Sequence, residues 1–229
     1  MTTTSLSDAS ARARKIKVIL FDVDGVLTDG TIFIFPSATP PPAPATPADP
    51  ANSQHLAKEY KDGGFGLQSQ NMIEAKGFNA HDGTGISLAR VAGLQCGIIT
   101  KRVSETVLLR ARDLKLEHIY LGQAHKMQAV REIIQKTGFS LDQIAYVGDD
   151  VIDLPVMREC GLAVAVADAV PQVIAEAHYV TPNNGGRGAG RDTVDFILSS
   201  MGILESTIER FIDDKNPISS SEDIGQGNM

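Results

Sequence analysis

Apolar residues in this chain fall into short unbroken runs separated by stretches of helical spacing, and the two patterns alternate over most of its length. The first run, residues 17–21, is β-branched and continuous rather than alternating, which suits a strand covered on both faces. Runs at 96–100, 118–121, 144–148, 163–166 and 178–180 predict further strands. Between them, residues 82–91, 105–113, 126–136, 152–159, 170–177 and 192–201 predict helices, with Asp82 as a cap of the first and Gly93 and Gly138 as terminators. One more helix is expected over 204–212. This βα repetition predicts an α/β fold: a doubly wound parallel sheet with helices on both faces.

The rhythm breaks once. Residues 31–35 read as a strand, and residues 70–76 as its antiparallel return, making a hairpin flap. Between them, residues 36–50 hold seven of the eleven prolines, which excludes a helix or a ladder there and predicts an extended segment. A short helical piece is expected at 51–60, before Gly63-Gly64 and Gly66. The implied organisation is a disordered N-terminus at 1–14, one domain over 15–212 carrying a Pro-rich insert at 36–69, and a flexible tail at 213–229.

A hydrophobic content of 42% can supply the core of such a domain. The net charge of −7 argues against nucleic-acid binding, which needs a basic face. Cys96 and Cys160 lie in apolar company and are expected as buried free thiols. No apolar stretch has the length of a signal sequence or a membrane span, so a cytoplasmic protein is expected.

Candidate chemistry gathers at the strand ends. Asp22 and Asp24 follow the first strand, and alternation turns both to one side if the extended geometry persists. Gly25 then lets the chain leave sharply. A second strand ends Val147-Gly148-Asp149-Asp150. In a parallel sheet both ends share one edge, where ligands bind. Converging Asp22, Asp24 and Asp149 carboxylates repel one another, and a hard cation such as Mg2+ relieves that repulsion. Thr100 supplies a hydroxyl at the same edge. Lys126 opens a helix, where its charge opposes the dipole and points to a nearby anion.

The ordered set Asp22-x-Asp24-Gly25, Thr100, Lys126 and Gly148-Asp149-Asp150-x-x-Asp153 resembles the four motifs of the haloacid dehalogenase superfamily. Asp22 to Gly30, Phe78 to Gly83, Val147 to Met157 and Gly185 to Ala189 are similar to its capless branch acting on phosphorylated 3-deoxy ulosonic acids. The resemblance covers residues 16–35 and 70 to about 205. It implies a Mg2+-dependent phosphomonoesterase with Asp22 as nucleophile and Asp24 as proton carrier. The metal would be held by Asp22, the Asp24 main-chain carbonyl and Asp149, the phosphate by Thr100 and Lys126, with Asp150 and Asp153 as outer supports. Lys76, Asn79, Asp82 and Arg187 become candidates for contacting the sugar acid. A homotetramer with shared sites is also implied. One departure stands out: Lys101-Arg102 follows Thr100, where the family usually has glycine. The competing readings are a phosphatase of a nonulosonate 9-phosphate and a non-catalytic scaffold that binds partners through the insert.

Overall fold

The structure is a computed structural model that describes residues 6–36, 58–59, 65–66 and 72–213. Strand β1 (Val18–Phe21) lies at the middle of a six-stranded parallel sheet, and none of its four residues is accessible to solvent. The other strands are β6 (Gln95–Ile99), β7 (His118–Tyr120), β8 (Ile144–Gly148), β9 (Leu162–Ala165) and β10 (Tyr179–Val180). Their order is β10-β9-β8-β1-β6-β7. The chain thus builds outward from β1 on one side and returns to build outward on the other. That reversal opens a crevice beyond the carboxyl end of β1, between β6 and β8, where an open α/β sheet takes its ligand.

Helices α1 (Leu6–Ala13), α2 (Ala80–Val91), α7 (Ala189–Ser200) and α8 (Leu204–Ile212) pack with one another, and α4 (Lys126–Thr137), α5 (Leu154–Met157) and α6 (Pro171–Glu176) form a second group. Helix α3 (Glu105–Asp113) joins β6 to β7. The hairpin flap pairs β2 (Phe33–Pro36) with β5 (Met72–Ala75) in antiparallel register. Among the described residues no cap domain interrupts the sheet.

Several expectations need correction. Residues 6–13 do not fray: Ala9 and Ala13, one helical turn apart, are fully buried, and Arg12 donates to the Gly161 carbonyl at 3.1 Å. Small side chains let this helix sit close against the domain. The helix expected at 51–60 lies largely outside the described residues, and Lys58–Glu59 instead forms β3, paired with β4 (Phe65–Gly66). Asp82 does not cap α2. Asn79 does, accepting from the His81 amide at 2.8 Å. The stretch 152–159 is a 3-10 turn, Val151–Asp153, followed by one short helix, because Asp150 and Asp153 form a capping box around the turn.

Candidate active site

Asp22 is the first residue beyond β1 and is 4% exposed. Its Oδ1 accepts from the Val23 amide at 2.7 Å, and its Oδ2 faces the Lys126 ammonium at 2.8 Å. Lys126 begins α4 with an exposure of 2%, and its Nζ also donates to Asp153 Oδ1 at 2.7 Å. The unfavourable dipole position noted in the sequence is thus offset by two buried carboxylates. Burial pulls the lysine's pKa down, but Asp22 and Asp153 outweigh it and hold the ammonium charged.

Asp149 reaches the same place from β8. Oxygens of Asp22, Asp149 and Asp153 lie within 4.8 Å of one another. Both reactive acids are hard to ionise there. Burial, opposed by Lys126, lifts Asp22 to about 7. Burial, reinforced by Asp22 and Asp153, lifts Asp149 to about 8. Asp149 Oδ1 is buried with no hydrogen-bond partner. Gly25, at φ +92°, passes so near that a Cβ there would lie 2.1 Å from Asp149 Oδ2. A backbone pared down around an orphaned carboxylate oxygen, among acids that repel, fits a hard divalent cation. Both Asp153 oxygens are already engaged: Oδ1 takes Lys126 and Tyr146, and Oδ2 takes the Asp149 and Asp150 amides at 3.0 and 3.3 Å. Asp150 is exposed and caps the 3-10 turn through the Val151 amide.

Thr100 is the first residue beyond β6, 2% exposed, and its hydroxyl accepts from the Arg102 amide at 3.3 Å. On the opposite wall stands the flap. Lys76 reaches over to Asp24 in a very close ion pair, its side chain fully buried. Arg102 approaches Asp24 at 3.7 Å and Glu74 at 3.7 Å. Glu74 in turn lies 4.0 Å from Lys76 and accepts from the Ser104 hydroxyl at 2.6 Å.

The remaining sugar-contact candidates divide. Asn79 is held between its capping role and the Gly186 carbonyl. Asp82, 2% exposed, accepts from the Arg191 amide at 2.9 Å in the first turn of α7, so it is committed to holding α2 against α7. Arg187 is exposed and pairs with Asp29 at 3.1 Å, beside the Gly185-Gly186 turn that presses on Gly25 and Asp29. Glu74 and Tyr146 line this site without any motif that announces them, and Arg102 joins them. Arg102 was legible only as half of an unusual Lys101-Arg102 pair. Tyr146 had a faint signal, as the lone hydroxyl in an apolar strand, two residues before Gly148 and so on the same face.

The fold and this cluster define a hydrolase of the haloacid dehalogenase type. The family model described as haloacid dehalogenase-like hydrolase matches residues 98–190, and the chain belongs to that family. Among its relatives, 3-deoxy-D-manno-octulosonate 8-phosphate phosphatase KdsC of Escherichia coli (strain K12) is 36% identical over 199 residues, covering 87% of this chain and 88% of that protein. The crystal structure of 3-deoxy-D-manno-octulosonate 8-phosphate phosphatase from Yersinia pestis is also 36% identical, with a TM-score of 0.69 over 86% of this chain and 89% of that one. The phosphatase of the same name from Moraxella catarrhalis, solved with a magnesium ion, a phosphate ion and a KDO molecule, is 29% identical. Its TM-score is 0.71 over 90% of this chain and 99% of that one.

Proposed function

We propose that this chain is a Mg2+-dependent phosphomonoesterase that hydrolyses 3-deoxy-D-manno-octulosonate 8-phosphate to the free sugar acid and phosphate, a step in supplying a lipopolysaccharide sugar. The observation that carries the reading is the buried set of Asp22, Lys126 and Asp149, with an unpartnered Asp149 oxygen and a lysine that retains one free proton. Resemblance to relatives named for that substrate supports it.

In this mechanism Asp22 attacks phosphorus in line and forms an aspartyl-phosphate, while Asp24 protonates the departing sugar oxygen. Asp24 then takes a proton from the water that opens the acyl phosphate. Lys126 and Thr100 hold the phosphoryl oxygens as charge shifts among them. Asp22, Asp149 and the Asp24 main-chain carbonyl would hold Mg2+, which neutralises phosphoryl charge when bound. Lys76 and Arg102, flanking Asp24, meet the rest of an anionic substrate.

The exposed apolar flap residues Phe33, Ile34, Phe35 and Ile73 support a homotetramer in which each flap meets a neighbour. The resemblance to these relatives supports a cytoplasmic setting. No helix among the described residues is long and apolar enough to cross a membrane.

The test is phosphate release, in Mg2+, from a panel of phosphorylated 3-deoxy ulosonic acids and a nonulosonate 9-phosphate, with Asp22→Asn as control. Release from the octulosonate 8-phosphate is expected to lead. Preference for the nonulosonate reassigns the substrate, and release from no member returns the chain to a scaffold role.

A further inference from the structure

Lys126 Nζ carries three protons, of which one faces Asp22 Oδ2 and one faces Asp153 Oδ1. One is left for an incoming phosphoryl oxygen. This division depends on where Asp153 Oδ1 sits. Its Oδ2 is fixed by two amides of the chain that follows β8, which leaves Oδ1 to be set by its other neighbour. That neighbour is Tyr146, fully buried in β8, whose hydroxyl donates to Asp153 Oδ1 at 2.7 Å.

Packing alone has no use for this hydroxyl. Phenylalanine would fill the same space and keep the ring 5.8 Å from the Lys126 ammonium. Burial, with the charges of Asp153 and Asp22, keeps the phenol protonated and therefore a donor. Without it, Asp153 Oδ1 has a vacant acceptor direction in a buried site, where vacancy is costly. Among the described contacts of Asp153 Oδ1, the donor that remains to fill it is Lys126.

We infer that Tyr146 is a positioning residue for phosphoryl transfer: by occupying Asp153 Oδ1 it leaves Lys126 free to divide its remaining protons between Asp22 and the transferring phosphoryl group. The inference rests on the reading of Asp22 as nucleophile. It predicts an effect on turnover more than on substrate capture, because the lysine's share of charge grows as the phosphoryl group transfers.

The experiment compares wild type, Tyr146→Phe and Asp22→Asn in Mg2+ with p-nitrophenyl phosphate, a probe that needs none of the sugar contacts. Tyr146→Phe is expected to lower kcat by about tenfold or more with KM changed by less than about twofold and an almost unchanged melting temperature. A kcat within about twofold of wild type overturns the inference, as does a loss that only tracks a lower melting temperature. If Asp22→Asn turns over like wild type, the nucleophile assignment fails, and this inference with it, whatever Tyr146→Phe does. A readout independent of turnover is the 15N resonance of the Lys126 ammonium in the full-length protein. It is expected to shift or broaden in Tyr146→Phe, and an unmoved resonance overturns the inference.

Discussion

The two walls of the active site hold charge on different terms. On the sheet wall, Asp22, Lys126 and Asp153 are each 4% exposed or less and are joined at 2.7 to 2.8 Å. On the flap wall only Lys76 is as deeply buried, closely paired with Asp24; Asp24, Glu74 and Arg102 keep 12 to 23% of their side chains exposed, and Arg102 stands 3.7 Å from both acids. Buried charges in close contact gain or lose several kcal/mol when one is removed, whereas partly exposed pairs are screened to about 1 kcal/mol or less. The sheet wall is therefore suited to fixed chemistry common to the family. Around the buried Lys76–Asp24 pair, Glu74 and Arg102 can be retuned at low cost, which is where a choice among sugar phosphates belongs.

The largest effect expected on the sheet wall is from Asp22→Asn. Phosphate release should fall by about 10³-fold or more, since the proposed mechanism gives Asp149 to the metal and Asp153 to Lys126 and Tyr146, leaving Asp22 as the attacking carboxylate. Folding should survive, because at neutral pH the burial of an ionised Asp22 opposes the folded state. A variant that unfolds would contradict the idea that this wall is strained for function. Gly25→Ala comes next. Its methyl would meet Asp149 Oδ2 at 2.1 Å from a backbone at φ +92°, so about 1–3 kcal/mol of stability should be lost. Mg2+-dependent activity should fall with it, measured by denaturant melts and by metal titration.

The same contrast explains what was legible in the sequence. Asp22, Thr100, Lys126 and Asp149 are reached through strands and helix starts whose hydrophobic rhythm fixes their place, and a parallel sheet brings such ends together without further information. The flap wall depends on a hairpin that folds over from outside that rhythm, so Glu74 and Arg102 had no pattern to reveal their meeting. Asp82 misled for a related reason. An Asp before a helical run reads as its own cap, but the α2 cap is Asn79, and Asp82 serves the turn that opens α7, 109 residues along the chain from Arg191 to which it bonds. Local grammar gives the cap type and not which helix is capped. Helix α1 was lost to short polar composition, since two buried alanines leave little trace.

A smaller effect concerns protons on the sheet wall. Asp22 and Asp149 ionise at about 7 and about 8 in the folded protein against an ordinary 3.8. Because the folded values lie above the unfolded ones, these two groups favour the metal-free fold below pH about 4, and that contribution is lost as pH rises through about 7 and 8. If Mg2+ is held by the ionised pair, as proposed, it should protect more as pH rises through the same interval. At a hundredfold excess over Kd the gain is about 2.7 kcal/mol. Melts near pH 5 and pH 8.5, with and without MgCl2, should show the larger Mg2+ shift at the higher pH. An equal shift at both would place the metal away from these carboxylates.

The smallest effect tests the flap wall. Glu74→Gln removes the negative charge between Lys76 and Arg102 while leaving an amide oxygen for the Ser104 hydroxyl, 2.6 Å away. Stability should change by no more than about 1 kcal/mol, since both lost pairs are long, at 4.0 and 3.7 Å, and the buried Lys76 keeps its close partner Asp24. Both cations keep Asp24 as an acidic partner, and losing the opposing pull of Glu74 draws them toward it and from the substrate's path. KM for the sugar phosphate should rise several-fold, by about 3 to 10, with kcat nearly unchanged, and p-nitrophenyl phosphate, lacking the sugar acid, should not register the change. Raising the ionic strength should narrow the KM difference, as screening acts on this wall and not on the buried one. If Glu74→Gln instead lowered kcat for both substrates alike, the flap would belong to the fixed chemistry, and the division between the two walls would fall.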